Sequence, residues 1–275
     1  MKHITKYSKY KWRISFITAL LFSFSSCVKE INHPILMNAE KRIVVEGILT
    51  NELKYQTIRL STIIPQQNQK ALPIQGAIIN VLSSNAWIGF EESNNEAGFY
   101  ISEVPFAVDI DSKLHLEMSY QNHNYIAFSG MKIVSSYNPI HFEQVENGLY
   151  HLTNPTSSFT VDEQAMYELN IIWHPTPDST VHIQTYRYQL NTLDVSIIFS
   201  PDEENIYFPE GAMIIGKKYS LTDDYAEYIR AMLAETHWQG GLFDDEKANL
   251  PTNISNGGLG YFTACSVLVD TVIVQ

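Results

Sequence analysis

The stretch Leu114-His115-Leu116-Glu117-Met118-Ser119-Tyr120 decides the fold. Leu114, Leu116, Met118 and Tyr120 point one way and His115, Glu117 and Ser119 the other. A two-residue period is that of a strand with one face in a core and one in solvent. Gln121 to Asn124 turns the chain, and Tyr125-Ile126-Ala127-Phe128 returns. Upstream the same grammar repeats. Ile43-Val44-Val45-Glu46-Gly47-Ile48-Leu49 is β-branched and apolar, Thr57 to Ser61 alternates, and Gly76 to Leu82 reads as a buried strand. Asn94-Asn95-Glu96-Ala97-Gly98 supplies residues that accept positive φ, after which Phe99-Tyr100-Ile101 resumes. Short strands punctuated by turns, with no helical stretch among them, predict a β-sandwich over 41–135.

Ser135 to Pro139 marks a boundary, so a second β-rich domain is expected over 136–275. Tyr167, Leu169, Ile171 and Trp173 alternate, and Pro175-Thr176-Pro177-Asp178 stops them. Val181 to Leu190 is a long mixed strand, and Leu193, Val195, Ile197 and Phe199 alternate again. One amphipathic helix is predicted near the C-terminus, over about 222–238. Thr222 or Asp223 caps it, Asp223-Asp224 suit its N-terminal dipole, and Tyr225, Ile229, Met232, Leu233 and Thr236 share a face. Gly240-Gly241 ends it, and the chain finishes on strand-like Ser266 to Val274. The fold class is therefore mainly β, in two domains.

The N-terminal thirty residues follow different rules. Lys2, Lys6, Lys9, Lys11 and Arg13 stand without an acid, an apolar run covers 14–24, and Ser25-Ser26-Cys27 closes it. This is secretory-signal order, and the run is about half the ~20 residues a membrane span needs. It is similar to a bacterial lipoprotein signal, which implies cleavage after 26, lipid on Cys27 and attachment through its acyl chains. Residues 27–40 are then a polar tether, and Lys29-Glu30 is similar to charged tags that export some Bacteroidota lipoproteins to the cell surface.

Charge and cysteine content narrow the classes. The chain carries 18 Lys and Arg against 30 Asp and Glu, a net charge of −12, and five of the cations lie in the signal. An acidic body repels phosphate backbones and anionic bilayers, so nucleic acid is excluded as a partner. With Cys27 acylated, Cys265 stands alone and no intrachain disulfide forms. Cys265, in an apolar run without nearby cations, is expected to be a buried strand residue.

Two resemblances accompany these readings. Glu46-Gly47-Ile48-Leu49-Thr50, Gly76-Ala77-x-Ile79-x-Val81 and Gly98-Phe99-Tyr100 resemble the transthyretin-like or carboxypeptidase-regulatory sandwich, a module without an implied activity. Trp238-x-Gly240-Gly241-Leu242-Phe243-Asp244, Pro251-x-Asn253-Ile254 and Gly260-Tyr261-Phe262-x-Ala264 resemble a family of uncharacterised Bacteroidota lipoproteins. That likeness implies an outer-membrane location, a domain of unknown function and a TonB-dependent receptor β-barrel as partner. It carries over no site residue besides Cys27.

Candidate chemistry is sparse. His141 and Glu143 share one strand face, and His115 and His123 are placed to approach across a hairpin. A metal site needs three or four converging ligands, and the spacings supply no such set, so no metal or cofactor is expected. No Gly-x-Ser-x-Gly occurs around Ser255-Asn256-Gly257. Glu91-Glu92, Asp202-Glu203-Glu204 and Asp244-Asp245-Glu246 sit among turn residues and read as solvated acidic loops. Asn253-Ile254-Ser255 fits a glycosylation sequon, but its surroundings read as turns that dock the last strand. No catalytic residue is assigned. The expected function is a lipid-anchored, non-enzymatic accessory that captures nutrients with a TonB-dependent transporter. A surface adhesin or fimbrial subunit, with cleavage at Lys41-Arg42, is the alternative. A surface hydrolase, needing a serine, a histidine and a carboxylate in reach of one another, is the third.

Overall fold

Eight strands build the first sheet, and its two ends approach one another. The computed structural model describes residues 42–63, 70–110, 112–136, 139–153, 163–190, 206–236 and 250–275. In chain order the strands are β1 (Ile43–Thr50), β2 (Thr57–Thr62), β3 (Ile78–Ser83), β4 (Ala86–Glu92), β5 (Phe99–Ser102), β6 (Lys113–Tyr120) and β7 (His123–Gly130). There follow β8 (Phe142–Gln144), β9 (Leu149–Leu152), β10 (Ala165–Thr176), β11 (Ser179–Gln189), β12 (Tyr207–Pro209) and β13 (Met213–Ser220). Helix α1 (Asp223–Thr236) precedes β14 (Leu259–Cys265) and β15 (Val267–Ile273). The first sheet runs β14-β1-β2-β5-β4-β3-β6-β7, the second β11-β10-β13-β15 and the third β12-β9-β8. The fold is mainly β with its helix near the C-terminus, as the patterning predicts.

Strand β6 behaves as its alternation requires: Leu114, Leu116 and Met118 are buried, and Glu117 and Ser119 are exposed. The β6–β7 turn is Gln121-Asn122 alone, both at positive φ, so His123 and Asn124 already belong to β7. The β3–β4 hairpin uses Ser84-Asn85 in the same way. Paired positive φ is the two-residue turn whose twist matches that of the strands.

Every strand of the first sheet puts side chains into one core, from Ile43 and Val45 on β1 to Tyr125 and Ala127 on β7 and Phe262 on β14. The sheet therefore rolls up around its own inner face. The open ends of the roll are sewn by side chains. Ser255 N donates to Ile126 O (2.9 Å) and Ser255 Oγ accepts from Ile126 N (2.8 Å). Asn253 Nδ2 donates to Phe128 O (3.0 Å) and to Phe262 O (2.6 Å), while its Oδ1 accepts from Phe262 N (3.0 Å). Further along, Ser129 Oγ accepts from Ala264 N (3.3 Å). The Asn/Gly-dense run thus docks the last strands, as its turn chemistry suggests.

β14 lies parallel to β1, with Val45 opposite Gly260 and Gly47 opposite Phe262. Both glycines are needed for this approach. A Cβ on Gly47 would stand 3.1 Å from the Phe262 ring, and one on Gly260, at φ +80°, would stand 2.1 Å from Val45 O. Residues 259–265 lie beyond the expected boundary near 135 yet are hydrogen-bonded into the preceding sheet. All described residues belong to one compact unit.

Ser266 joins the first sheet to the second. Its N donates to Ser220 Oγ (2.9 Å), its O accepts from Ser220 N (2.9 Å), and its Oγ bonds Val134 N (2.7 Å) and Lys132 O (2.9 Å). In the second sheet β10 pairs with β11 and β13. Pro175 does not stop β10: the register slips between Trp173 and Thr176, and the turn falls at Pro177-Asp178. Thr222 caps α1, its Oγ1 accepting from Tyr225 N (3.3 Å). Tyr225, Ile229 and Leu233 are buried, and Met232 is half-buried, as the predicted face requires. The signal, Cys27, the tether, Leu193 to Phe199, Gly240-Gly241 and the acidic runs at 202–204 and 244–246 lie outside the described residues.

Candidate functional site

The first sheet, helix α1 and the second sheet meet around a cleft of about 360 Å³. The outer face of β1 supplies Glu46 and Ile48, and Tyr261 stands opposite Glu46 on β14. β14 is buried on both sides because Phe262 and Ala264 fill the roll while Tyr261 and Cys265 face α1. The helix contributes Tyr225, Tyr228, Ile229 and Met232, an i, i+3, i+4, i+7 stripe that forms one wall. The second sheet closes the cleft with Met166 and Glu168 on β10, Tyr186 and Tyr188 on β11, and Tyr219 on β13. Met166, Tyr188 and Tyr219 share one rung of the sheet, so they reach the same face.

The aromatic content is dense. Tyr225, Tyr228 and Tyr261 form a triangle with ring centroids 5.9, 5.2 and 5.1 Å apart. Burial pushes all three phenols up, Tyr261 to about 12 with help from Asp224 and Glu227. They stay neutral at physiological pH and present ring faces and hydroxyls. Among the described residues, the hydroxyls of Tyr188, Tyr225, Tyr228 and Tyr261 have no hydrogen-bond partner, whereas Tyr186 OH accepts from Gln184 Nε2 (2.8 Å).

Glu168 is the polar centre. Its Oε1 accepts from Asn170 Nδ2 (2.8 Å) and Gln184 Nε2 (2.8 Å), and its Oε2 from Tyr219 OH (2.6 Å). Burial pushes the carboxyl up, but these three donors and the charge of Lys217 outweigh it and hold the group below its ordinary range. Glu168 is therefore an anion, while Tyr219 is pushed well up by burial and by that same carboxylate. The other charged residues of the lining are paired: Glu46 with Arg59 (2.8 Å) and Lys54 with Glu52 (2.7 Å).

The histidine pairs of the sequence reading do not converge. His115 stacks on Phe128 at 4.4 Å and sits opposite it, while His123 pairs with Tyr120 at the far end of the hairpin. The register therefore separates the two histidines by the length of a strand. His141 and Glu143 are both exposed on and beside β8, and Glu143 stands opposite His151. Among the described residues no three His, Cys, Asp or Glu side chains group as metal ligands. Glu91 and Glu92 are not in a turn but end β4, and Glu92 Oε2 accepts from Gly76 N (2.9 Å). Cys265 is fully buried, and burial pushes its thiol up to about 12. No helix among the described residues is long and apolar enough to cross a membrane.

The tyrosine cleft escapes sequence reasoning because its residues come from five strands and a helix. The available signals were Tyr186-Arg187-Tyr188, which aims two rings to one face of a strand, and Tyr225 with Tyr228, one helical turn apart.

The model of one protein family, described as a domain of unknown function (DUF4249), matches residues 28–270. No curated protein matches the chain. Among solved structures, a cytokine receptor complex is similar at 7% identity and TM-score 0.24, over 83% of this chain and 95% of that one. The FN1–FN3 domains of chicken CNTN1 are similar at 9% identity and TM-score 0.26, over 65% and 60% of the two chains.

Proposed function

The chain belongs to the DUF4249 family, and from that premise we propose that it is a lipid-anchored, non-enzymatic binding protein of the outer membrane. It captures a small ligand in the tyrosine cleft and works beside a TonB-dependent transporter. The observation that carries the reading is the cleft itself. Its ring faces and unpartnered phenols suit recognition, and Glu168, the lining carboxylate in no ion pair, is held in the ionised form. Anchoring is supported by the basic start, the apolar run and Cys27, and by an acidic body that must adhere through lipid. The transporter partner and the cell-surface location are supported by the likeness of the N-I…G-Y-F-x-A ending to that of lipoproteins associated with such receptors.

The test is affinity purification of the full chain from detergent-solubilised outer membranes. A β-barrel receptor is expected to come with the protein, and Cys27→Ser is expected to move it to the soluble fraction. A protein that stays membrane-bound as C27S overturns the anchor. Recovery without a β-barrel from cells that express TonB-dependent receptors overturns the partnership.

A further inference from the structure

We infer that the tyrosine cleft binds an organic ammonium group, with Glu168 as its counter-charge and the Tyr225–Tyr228–Tyr261 cluster as its aromatic wall. The inference deepens the binding reading above and rests on it.

The first observation is a charge inventory. Of the charged residues that line the cleft, Glu46 and Lys54 hold ion-pair partners within 2.8 Å, and Glu168 is in no ion pair. Lys217, opposite Glu168 in the sheet register, attracts it through space without forming a pair. Three neutral groups hold the carboxylate instead. A carboxylate offers about four lone-pair sites. Asn170 and Gln184 occupy both sites on Oε1, and Tyr219 takes one on Oε2. One acceptor position is left, on Oε2, and an N–H donor from a ligand would complete it.

The second observation is the aromatic wall. Ring faces carry negative quadrupole potential and attract ammonium groups more strongly where water is displaced. Tyr225 is 4% exposed and Tyr261 8% exposed, yet their hydroxyls have no partner among the described residues and both residues line the cleft. Such phenols accept N–H donors from a ligand as readily as they donate. Asp224 and Glu227 add negative potential around Tyr261. A phosphate or carboxylate ligand would meet Glu168, Glu46 and these acids with Lys54 already paired, so anions are disfavoured. A volume of about 360 Å³ suits a compact amine and not a long polymer.

The experiment is isothermal titration calorimetry on the full chain in non-ionic detergent with three probes of one shape: benzylamine, benzyl alcohol and benzoate. Charge-assisted hydrogen bonding predicts benzylamine at least about tenfold tighter than benzyl alcohol, with no benzoate binding. Glu168→Gln is expected to remove the benzylamine preference over benzyl alcohol, and an unchanged circular dichroism spectrum reports that the variant is folded. Tyr228→Leu is expected to weaken benzylamine several-fold and Tyr228→Phe hardly at all, because the face and not the hydroxyl makes the contact. Equal affinity of wild type for the amine and the alcohol overturns the ammonium assignment but leaves a ligand cleft. Binding of none of the three overturns the inference, while co-purification with a receptor tests the accessory reading independently.

Discussion

Asn253 and Phe262 are tied by a reciprocal pair of hydrogen bonds: the Asn253 amide donates to Phe262 O (2.6 Å) and accepts from Phe262 N (3.0 Å). A side chain here replaces the neighbouring strand that β14 lacks on that edge. The same amide also reaches Phe128 O on β7 (3.0 Å). One residue thereby joins the two open ends of an eight-stranded sheet.

Asn253→Ala leaves the Phe262 backbone groups without partners. The expected cost is about 2–4 kcal/mol, larger than for a typical surface change, because unmade buried hydrogen bonds carry their desolvation penalty. Asn253→Asp retains the acceptor and loses both donors, so it should fall between wild type and alanine. Urea denaturation followed by circular dichroism measures both.

Gly260→Ala and Gly76→Ala separate steric cost from conformational cost. Both residues have positive φ, +80° and +75°, but the new Cβ at 260 would stand 2.1 Å from Val45 O while that at 76 meets nothing within 4 Å. Gly76→Ala should cost about 1 kcal/mol, the usual price of a non-glycine in this region. Gly260→Ala should cost roughly 3 kcal/mol or more, since β1 and β14 must separate. Similar midpoints for the two variants would show that the parallel pairing is not close.

Lys218 is completely buried on β13, with Nζ donating to Glu163 Oε2 (3.0 Å), Ser135 Oγ (2.8 Å) and Ser135 O (3.1 Å). Burial pushes the Glu163 carboxyl up, but the Ser135 hydrogen bonds and Lys218 bring it down to about 2. A depressed acid contributes stability above its unfolded value, near 4.3, and loses it as pH falls toward the folded value. The unfolding free energy should therefore drop between about pH 4.5 and pH 2. Lys218→Met should cost about 3–5 kcal/mol by removing the buried counter-charge of Glu163, and adding Glu163→Leu should restore part of it. Chemical denaturation across this pH range, on wild type and on the double variant, checks the sign: the double variant should lose much of the acid slope.

Cys265 should be inert in the native state. Its thiol is fully buried and pushed up to about 12, so little thiolate forms at neutral pH. In the Cys27→Ser variant, reaction with an aromatic disulfide reagent should proceed only at the rate of opening of β14. Fast labelling of the folded protein would mean that the face between β14 and α1 is open.

Much of the first sheet was legible because its strands obey a two-residue period. β6 buries Leu114, Leu116 and Met118 as written, and α1 buries Tyr225, Ile229 and Leu233. β4 was not legible: Ala86, Trp87 and Glu91 are exposed and only Phe90 is buried, so no alternation shows. β8, β9 and β12 are three or four residues long, too short for any period. The histidine hairpin failed for a different reason. Whether His115 and His123 meet in space depends on where the turn falls, and the Gln121-Asn122 turn puts them at opposite ends of the ladder. The cleft depends on which strand lies beside which, and a parallel pairing of β1 with β14 has no local signature.

That parallel pairing also sets an order of assembly. Asn51 Oδ1 accepts from Val267 N (2.7 Å), a contact across 216 residues, and β1 has β14 as its outer neighbour from Val44 to Thr50. During synthesis β1 emerges more than 200 residues before its partner. Until then the strand Ile43–Thr50 carries an unpaired edge, the feature through which β-proteins aggregate. Contacts of such separation form slowly. The roll therefore closes only after β14 and β15 arrive, so these two strands act as the latch on folding: a chain that loses Leu259 to Ile273 forfeits both the closure of the first sheet and an edge strand of the second.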